Sequence, residues 1–260
     1  MTVSTPTHTP AASRSKLPEI TLAFWIMKIS ATTLGETAGD LLSMTLKIGY
    51  AASSVLLIGV FLVTLGAQLR SKTYHPLLYW AVILATSTAG TTLSDFMDRT
   101  LGLGYATGAA ILASLLCAVL IYWKVTQKSL SVTHVRSSGQ ELLYWGAILV
   151  SNTLGTALGD FLADSSGLGF AGGALLIAGA IALIVAAYYL TGISRVALFW
   201  IAFVLTRPLG ATGGDLLTKP VSAGGLNLGT AGASAVLLAI LLVTIALTSW
   251  QTRRGALQSA

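Results

Sequence analysis

Residues 80–104 read WAVILATSTAGTTLSDFMDRTLGLG, and residues 145–169 read WGAILVSNTLGTALGDFLADSSGLG. Each stretch begins with a tryptophan, has a glycine ten residues later and an aspartate fifteen residues later, and ends on a glycine. The tryptophan, the first glycine and the aspartate recur at the same intervals in two more places, as Trp25, Gly35 and Asp40 and as Trp200, Gly210 and Asp215. A pattern present four times predicts four copies of one structural unit.

The spacing of the tryptophans divides the chain into two halves. Successive tryptophans are separated by 55, 65 and 55 residues. The closing glycine stands 24 residues after the tryptophan at Gly49, Gly104 and Gly169, and it comes five residues later in the fourth copy, at Gly229. We therefore predict repeats one and two within residues 20–130 and repeats three and four within residues 131–252, joined by a short linker.

The composition argues against a water-soluble domain. Hydrophobic residues make up 54% of the 260 residues and charged residues only 9%, and the mean hydropathy is +0.79. A surface so poor in charge requires a lipid bilayer as its partner. A chain of this length accommodates about eight spans of roughly 20 residues. The sequence predicts an all-α integral membrane protein with eight transmembrane helices from four tandem two-helix repeats, arranged in two pseudo-symmetric halves.

Each repeat divides into a first helix of mixed character and a second helix that is almost entirely apolar. The first helices are predicted near residues 20–45, 76–98, 141–163 and 196–218. The second helices are predicted near residues 50–69, 105–123, 170–190 and 230–250. Each is long enough to cross about 30 Å of hydrocarbon.

The basic residues predict the orientation of these helices. Ten of them lie before a first helix or after a second one: Arg14, Lys16, Arg70, Lys72, Lys124, Lys128, Arg136, Arg195, Arg253 and Arg254. Three lie at the opposite ends of the helices: Lys47, Arg99 and Lys219. The positive-inside tendency then places both termini in the cytoplasm, with residues 1–19 as a flexible tail and residues 253–260 as a second tail. This placement accounts for the net charge of +6, so we expect no nucleic-acid partner.

An aromatic residue precedes each tryptophan: Phe24, Tyr79, Tyr144 or Phe199. With the orientation above, we expect the tryptophans to form an aromatic belt at the cytoplasmic interface. Lys28 follows Trp25 by three residues, and its long side chain is expected to extend to the same interface.

The chain resembles a family of bacterial inner-membrane proteins that consist of four tandem two-helix repeats of unknown function, each with a tryptophan. The resemblance rests on the repeated Trp, Gly and Asp and covers about residues 20–252. It implies the architecture and a location in the inner membrane, and it implies no substrate. The function therefore has to be inferred from the residues themselves.

A polar stripe at helical spacing leads to each aspartate. The stripes are Thr33, Glu36 and Asp40; Thr88, Thr91 and Asp95; Thr153, Thr156 and Asp160; and, in degenerate form, Pro208, Ala211 and Asp215. Offsets of three and four residues place each stripe on one helix face. Since lipid penalises such a face, we expect the four first helices to turn it toward a shared polar cavity, with the second helices as a lipid-facing rim.

Small residues flank these stripes four positions apart. The pairs are Gly35 and Gly39, Gly90 and Ser94, Gly155 and Gly159, and Gly210 and Gly214. Such pairs allow helix backbones to approach closely. Within the fourth first helix, Pro208 is predicted to cause a kink, because it removes a backbone hydrogen bond.

Ionisable groups inside a membrane are costly and commonly mark a pathway or a binding site. The residues predicted to bind a substrate or ion are Asp40, Asp95, Asp160, Asp215, Glu36, Arg207, Asn152, Thr33, Thr88 and Thr153. Asp40, Glu36 and Asp160 are the candidates for metal ligation, since hard divalent cations prefer oxygen ligands. A structural alternative is that each aspartate caps a broken helix or binds the backbone of a neighbouring repeat.

We expect a transporter or channel for a small ion or solute, because duplicated helical bundles with buried charge suit alternating access. The carboxylates favour a cation, either a divalent metal or one whose transport is coupled to protons. A small organic or anionic solute held by Arg207 and Lys28 is one alternative, and a membrane scaffold or sensor without transport is another. We do not expect an enzyme, and no cofactor is indicated. A homo-oligomer is left open.

Overall fold

A computed structural model describes residues 16–132 and 137–258, and these residues form eight α-helices. The helices are α1 (Leu22–Asp40), α2 (Tyr50–Arg70), α3 (Pro76–Asp95), α4 (Tyr105–Gln127), α5 (Ser138–Asp160), α6 (Gly169–Leu190), α7 (Arg195–Thr218) and α8 (Thr230–Gln258). The predicted all-α class and the four two-helix repeats are confirmed. Helix α8 extends to Gln258, so residues 253–258 continue a helix that was expected to give way to a tail. Residues 1–15 of the predicted N-terminal tail lie outside the described residues.

Local sequence signals account for the helix starts. Ser137 and Gln140 form a capping box at the beginning of α5, in which each side chain binds the other residue's backbone N–H. Pro76 occupies the first turn of α3, where its missing N–H costs nothing. Gly49 and Gly104 precede α2 and α4 with φ of 84° and 73°, a backbone conformation that favours glycine.

Three of the four repeats continue past the aspartate as a five-residue π-helical segment. These segments are Leu41–Thr45, Phe96–Thr100 and Phe161–Ser165, and each begins at the residue after Asp40, Asp95 or Asp160. In the fourth repeat Asp215 lies inside α7, which stays α-helical to Thr218 and runs through Pro208 without a break. The π-helical segments were not predicted, and such segments are frequent at functional sites.

The first helices of the repeats, α1, α3, α5 and α7, pack in this order in a closed ring, because α7 returns to α1. We call these the inner helices. The second helices, α2, α4, α6 and α8, are the outer helices, and each packs on the inner helix of the following repeat, with α8 on α1. The inner helices are largely buried and the outer helices largely exposed.

Within the described residues, seven helices are long and apolar enough to cross a membrane, namely α2 to α8. Helix α1 falls outside this set. Lys28, Glu36 and Asp40 lie within it and lower its hydropathy. The chain therefore has the composition of a membrane protein in all but one of its helices.

The first glycine of each small-residue pair lies where neighbouring inner helices cross. A Cβ on Gly90, for example, would lie 2.9 Å from the backbone of Asn152 and of Thr153, closer than real side chains come. Each of the four glycines packs against the residue seven positions after the tryptophan of the next repeat: Gly35 on Ser87, Gly90 on Asn152, Gly155 on Arg207 and Gly210 on Thr32. These contacts close the ring, as small residues do between membrane helices.

Candidate functional site

Three successive layers of buried residues fill the centre of the ring, at seven, eleven and fifteen residues after each tryptophan. The arginine layer contains Thr32, Ser87, Asn152 and Arg207; the glutamate layer contains Glu36, Thr91, Thr156 and Ala211; and the aspartate layer contains Asp40, Asp95, Asp160 and Asp215. The spacing of four residues brings one residue of each layer onto the same face of its helix. The layers run from the tryptophan end of the bundle, where the inner helices begin, toward the aspartate end.

Arg207 connects all four repeats at the centre of the bundle. Its guanidinium is fully buried and donates to Glu36 Oε2 of α1 at 3.0 Å. It also donates to the Ser87 carbonyl oxygen at 3.3 Å, to Thr91 Oγ1 of α3 and to Thr156 Oγ1 of α5 at 2.7 Å. A buried charge needs both a counter-ion and hydrogen-bond partners, and Arg207 has both.

Glu36 is the counter-ion of this arginine, and the same oxygen accepts from two more repeats. Thr91 Oγ1 lies 3.3 Å and Thr156 Oγ1 3.4 Å from Glu36 Oε2. Residues of all four inner helices thus meet at one carboxylate. Nearby, the Asn152 amide donates to Thr86 Oγ1 at 2.9 Å and links α5 to α3.

Two basic side chains from the aspartate end pair with the four aspartates. Arg99 lies 2.7 Å from Asp95 and 3.2 Å from Asp160. Lys219 lies 2.7 Å from Asp40 and 3.1 Å from Asp215. Each base thus joins the aspartate of its own repeat to that of the next repeat around the ring. Because both bases stand nineteen residues after a tryptophan, in repeats two and four, the pairing follows a twofold pattern.

The surroundings of Lys219 act on its charge in opposite directions. Burial alone lowers the pKa of this amine, but the carboxylates of Asp215 and Asp40 outweigh burial and hold the pKa above its usual value. Lys219 is therefore a firmly held ammonium, although its side chain is 20% exposed.

Three carboxylates come close enough together to share a cation. Oxygens of Glu36, Asp160 and Asp215 lie within 4.8 Å of one another. The sequence analysis predicted Asp40, Glu36 and Asp160 as metal ligands, and this cluster contains Asp215 in place of Asp40. Asp215 comes close to Glu36 because α7 packs directly on α1. Carboxylate oxygens are the ligands that hard divalent cations prefer.

A family model described as Repeat of Unknown Function (DUF347) matches residues 23–74, 78–129, 143–194 and 198–254. The chain belongs to this repeat family. Each match covers one inner helix and the outer helix that follows it, so the four DUF347 repeats coincide with the four structural repeats. Neither a curated protein nor a solved structure matches the chain.

Three predicted site residues of the DUF347 repeats use their hydroxyls within their own helix. Thr33 donates to the Ile29 carbonyl, and the other two make the equivalent bonds: Thr88 to Leu84 and Thr153 to Leu149. The structure brings Asn152, Arg207, Glu36 and the four aspartates into the layers and leaves these three threonines beside them. Their hydroxyls satisfy carbonyls of the preceding helical turn, as is common for threonine in helices.

The residues of the candidate site that the sequence analysis missed stand at fixed distances from the tryptophans. Thr32 and Ser87 occupy the arginine layer, one residue before the expected threonines. Arg99 and Lys219 had been counted only as outer loop charges, although both lie four residues after an aspartate. Their shared offset of nineteen residues was the signal that could have identified them.

Three of the four repeat tryptophans are buried in the bundle and Trp25 is half-buried, so they do not line the outer surface as the expected belt would. Trp80 and Trp145 are 1% and 0% exposed. They pack among the aromatic residues that precede the tryptophans, and the hydroxyls of Tyr79 and Tyr144 lie 2.7 Å apart. The DUF347 tryptophans thus close the centre of the bundle at this end. Lys28, which was expected to reach the interface, is also fully buried.

Proposed function

We propose that this protein is a multi-pass inner-membrane transporter or channel for a small cation, with eight membrane spans and both termini in the cytoplasm. The observation that carries the proposal is the aspartate layer, in which four buried carboxylates share two basic partners. This layer has an excess of negative charge, and a buried excess of charge favours a mobile counter-ion.

Arg99 and Lys219 supply positive charge where an incoming cation would bind. Arg99 belongs to the π-helical segment Phe96–Thr100, and Lys219 follows the last residue of α7. Both therefore lie where a helical segment ends, at the aspartate end of the bundle, with side chains 33% and 20% exposed. We expect an entering cation to displace such a side chain toward water and to take over its carboxylates.

The substrate is expected to be a divalent metal ion or a cation whose transport is coupled to protons. Glu36, Asp160 and Asp215 supply the oxygen ligands for it. Arg207 is engaged with Glu36, so the alternative of an anionic solute held by Arg207 and Lys28 has less support.

The eight-span topology includes α1, whose charges find partners or packing inside the ring. Glu36 pairs with Arg207 and Asp40 with Lys219, so neither carboxylate has to face lipid. Ten basic residues come before an inner helix or after an outer helix in the sequence, and this supports a cytoplasmic location for the tryptophan end.

A flux assay tests the proposal. Purified protein in proteoliposomes is offered divalent metal ions and alkali cations, with and without a pH gradient. We expect flux of at least one cation, and a decrease of about tenfold or more in Asp160→Asn, since a charged contact contributes about 1.5–3 kcal/mol. Asp164→Asn is the matched control, because Asp164 is an exposed aspartate at the same end. Equal rates in both variants would contradict the proposal.

A scaffold or sensor without transport is the second candidate. It is favoured by the pairing of every charged side chain in the three layers with an opposite charge. Fully incorporated protein that passes none of the cations would support this candidate over the transporter.

Lys219 provides a second test, which measures metal binding without measuring transport. Lys219→Met leaves Asp40 and Asp215 without their base, so we expect a lower midpoint of thermal unfolding in the presence of a chelator. Added divalent metal should then raise this midpoint by several degrees more than in the unmodified protein, because a ligand stabilises the state that binds it. Lys47→Met is the control, since Lys47 is exposed at the same end. The same metal response in both variants would show that Lys219 does not compete for the site.

A further inference from the structure

Lys28 is a fully buried amine that the cation site does not use. It projects from α1, four residues before the arginine layer, and its Nζ has no hydrogen-bond partner among the described residues. Its Nζ lies over the ring of Phe203 of α7, 4.0 Å from the ring centroid. The equivalent positions of repeats two and three are Ile83 and Ile148, which are also fully buried. Lys28 therefore lies in an apolar layer.

Energetics favour the neutral amine in this arrangement. An ammonium over an aromatic face gains about 2 kcal/mol when it is desolvated. Removing an ammonium from water costs several kcal/mol even after relaxation. The cation–π contact with Phe203 is therefore insufficient to hold the charge, and a neutral amine needs no counter-ion.

The groups around Lys28 offer no compensating negative charge. Arg207 of α7 carries a like charge, which would repel an ammonium at Lys28. From α3 and α5 the titratable groups toward the tryptophan end are Tyr79 and Tyr144, which bind each other, and Glu141, which is paired with Lys16. Helix α8 has no charged residue before position 253. Glu36 lies two turns further along α1 and is paired with Arg207.

We propose that Lys28 is a proton-binding site, neutral in the closed bundle described above and an ammonium when the tryptophan end opens to water. One proton from water is taken up by the lone pair of Nζ, and no other bond changes. The inference rests on the proposed function, since it assigns the proton as the coupled ion of that transporter. It places the proton-binding group on the side of Arg207 opposite to the cation site.

The position of Lys28 suggests how the two sites communicate. A proton on Nζ adds a second positive charge one layer from Arg207, which disfavours the closed packing. Opening at the tryptophan end is thereby linked to proton uptake.

Carbon-13 NMR of the lysine side chains tests the protonation state directly, without transport. The chain has seven lysines, and the resonance that disappears in Lys28→Met is that of Lys28. In detergent-solubilised protein we expect this resonance to have the chemical shift of a neutral amine at about pH 7, whereas exposed lysines remain ammonium. A Lys28 resonance typical of ammonium from about pH 6 to about pH 9 would overturn the proposal.

Cation flux in proteoliposomes separates the proton-binding proposal for Lys28 from the transporter proposal. Lys28→Met keeps the length and packing of the side chain, and we expect it to fold but to lose the dependence of cation flux on a pH gradient. Lys124→Met, at an exposed position of α4, is the control and should keep this dependence. If flux in Lys28→Met still follows the gradient, Lys28 is not the proton site. If the unmodified protein passes no cation while the NMR shows a neutral Lys28, the transporter proposal fails and the proton-binding site stands.

Discussion

At the scale of single residues, the fourth repeat differs most from the others, and this difference makes the centre asymmetric. At the arginine layer the first three repeats have Thr32, Ser87 and Asn152, and the fourth has Arg207. At the glutamate layer the only carboxylate is Glu36, from the first repeat. One cation and one anion from adjacent inner helices thus replace small polar groups, and they pair across the α1–α7 contact.

This buried pair leads to a prediction about stability. Glu36→Met leaves a buried guanidinium without a counter-ion, and Arg207→Met leaves a buried carboxylate without one. Each should destabilise the protein by about 3–5 kcal/mol, whereas the double variant Glu36→Met with Arg207→Met should recover most of that loss. Thermal unfolding in detergent measures the three effects. Additive losses in the double variant would show that the two side chains do not depend on each other.

At the scale of elements, the crossing of inner helices depends on glycine at the contact. Gly90 faces the backbone of Asn152 and Thr153, which cannot move without shifting α5. Gly59 of α2 is also helical but has no atom within 4 Å of an added Cβ. The two positions therefore separate the intrinsic effect of glycine in a helix from its role in packing.

We predict opposite outcomes for the two alanine substitutions. Gly90→Ala should destabilise the protein by about 1–3 kcal/mol, as overpacking does. Gly59→Ala should be neutral or stabilise it by up to about 1 kcal/mol, since alanine favours the helix. The midpoint of thermal unfolding and the yield of folded protein are the measurements. A Gly90→Ala variant as stable as Gly59→Ala would exclude close packing of α3 on α5.

At the scale of the whole molecule, the ring is closed by contacts between the two ends of the chain. Helix α8 packs on α1, as α2 packs on α3 within the first half. Every inner helix therefore has an outer helix from the preceding repeat beside it, and the first repeat receives its outer helix from the fourth. The salt bridges of Arg99 and Lys219 repeat with the period of the two halves.

The arrangement predicts which positions face which side of the membrane. Lys72 and Lys47 are exposed residues that lie beyond opposite ends of α2. In a Cys117→Ser background, a cysteine at position 72 should react with an impermeant thiol reagent only from the cytoplasm, and a cysteine at position 47 only from outside. Labelling of both from the same side would exclude α2 as a membrane span, and the reversed pattern would overturn the orientation.

Much of this architecture is determined by the sequence alone. The helices begin and end within a few residues of the predicted positions, except that α1 ends earlier and α4 and α8 run further than expected. The four aspartates, which Arg99 and Lys219 join in pairs, lie at the same end of the bundle. These features are local, since helix length and register depend on apolar runs, capping residues and the 3.6-residue period.

The tertiary structure decided which residues meet. A stripe with offsets of three and four fits a helix face that includes Thr33 as well as one that includes Thr32, and the crossing of the neighbouring inner helices selects Thr32. Arg99 and Lys219 turn back to the aspartates because acceptors from the next repeat lie within reach, and those acceptors are 61 and 179 residues away in sequence. The burial of Trp145 and Lys28 depends in the same way on neighbours from other repeats. A local pattern specifies the face of a helix, but the position of that face relative to its partners arises only when the ring closes.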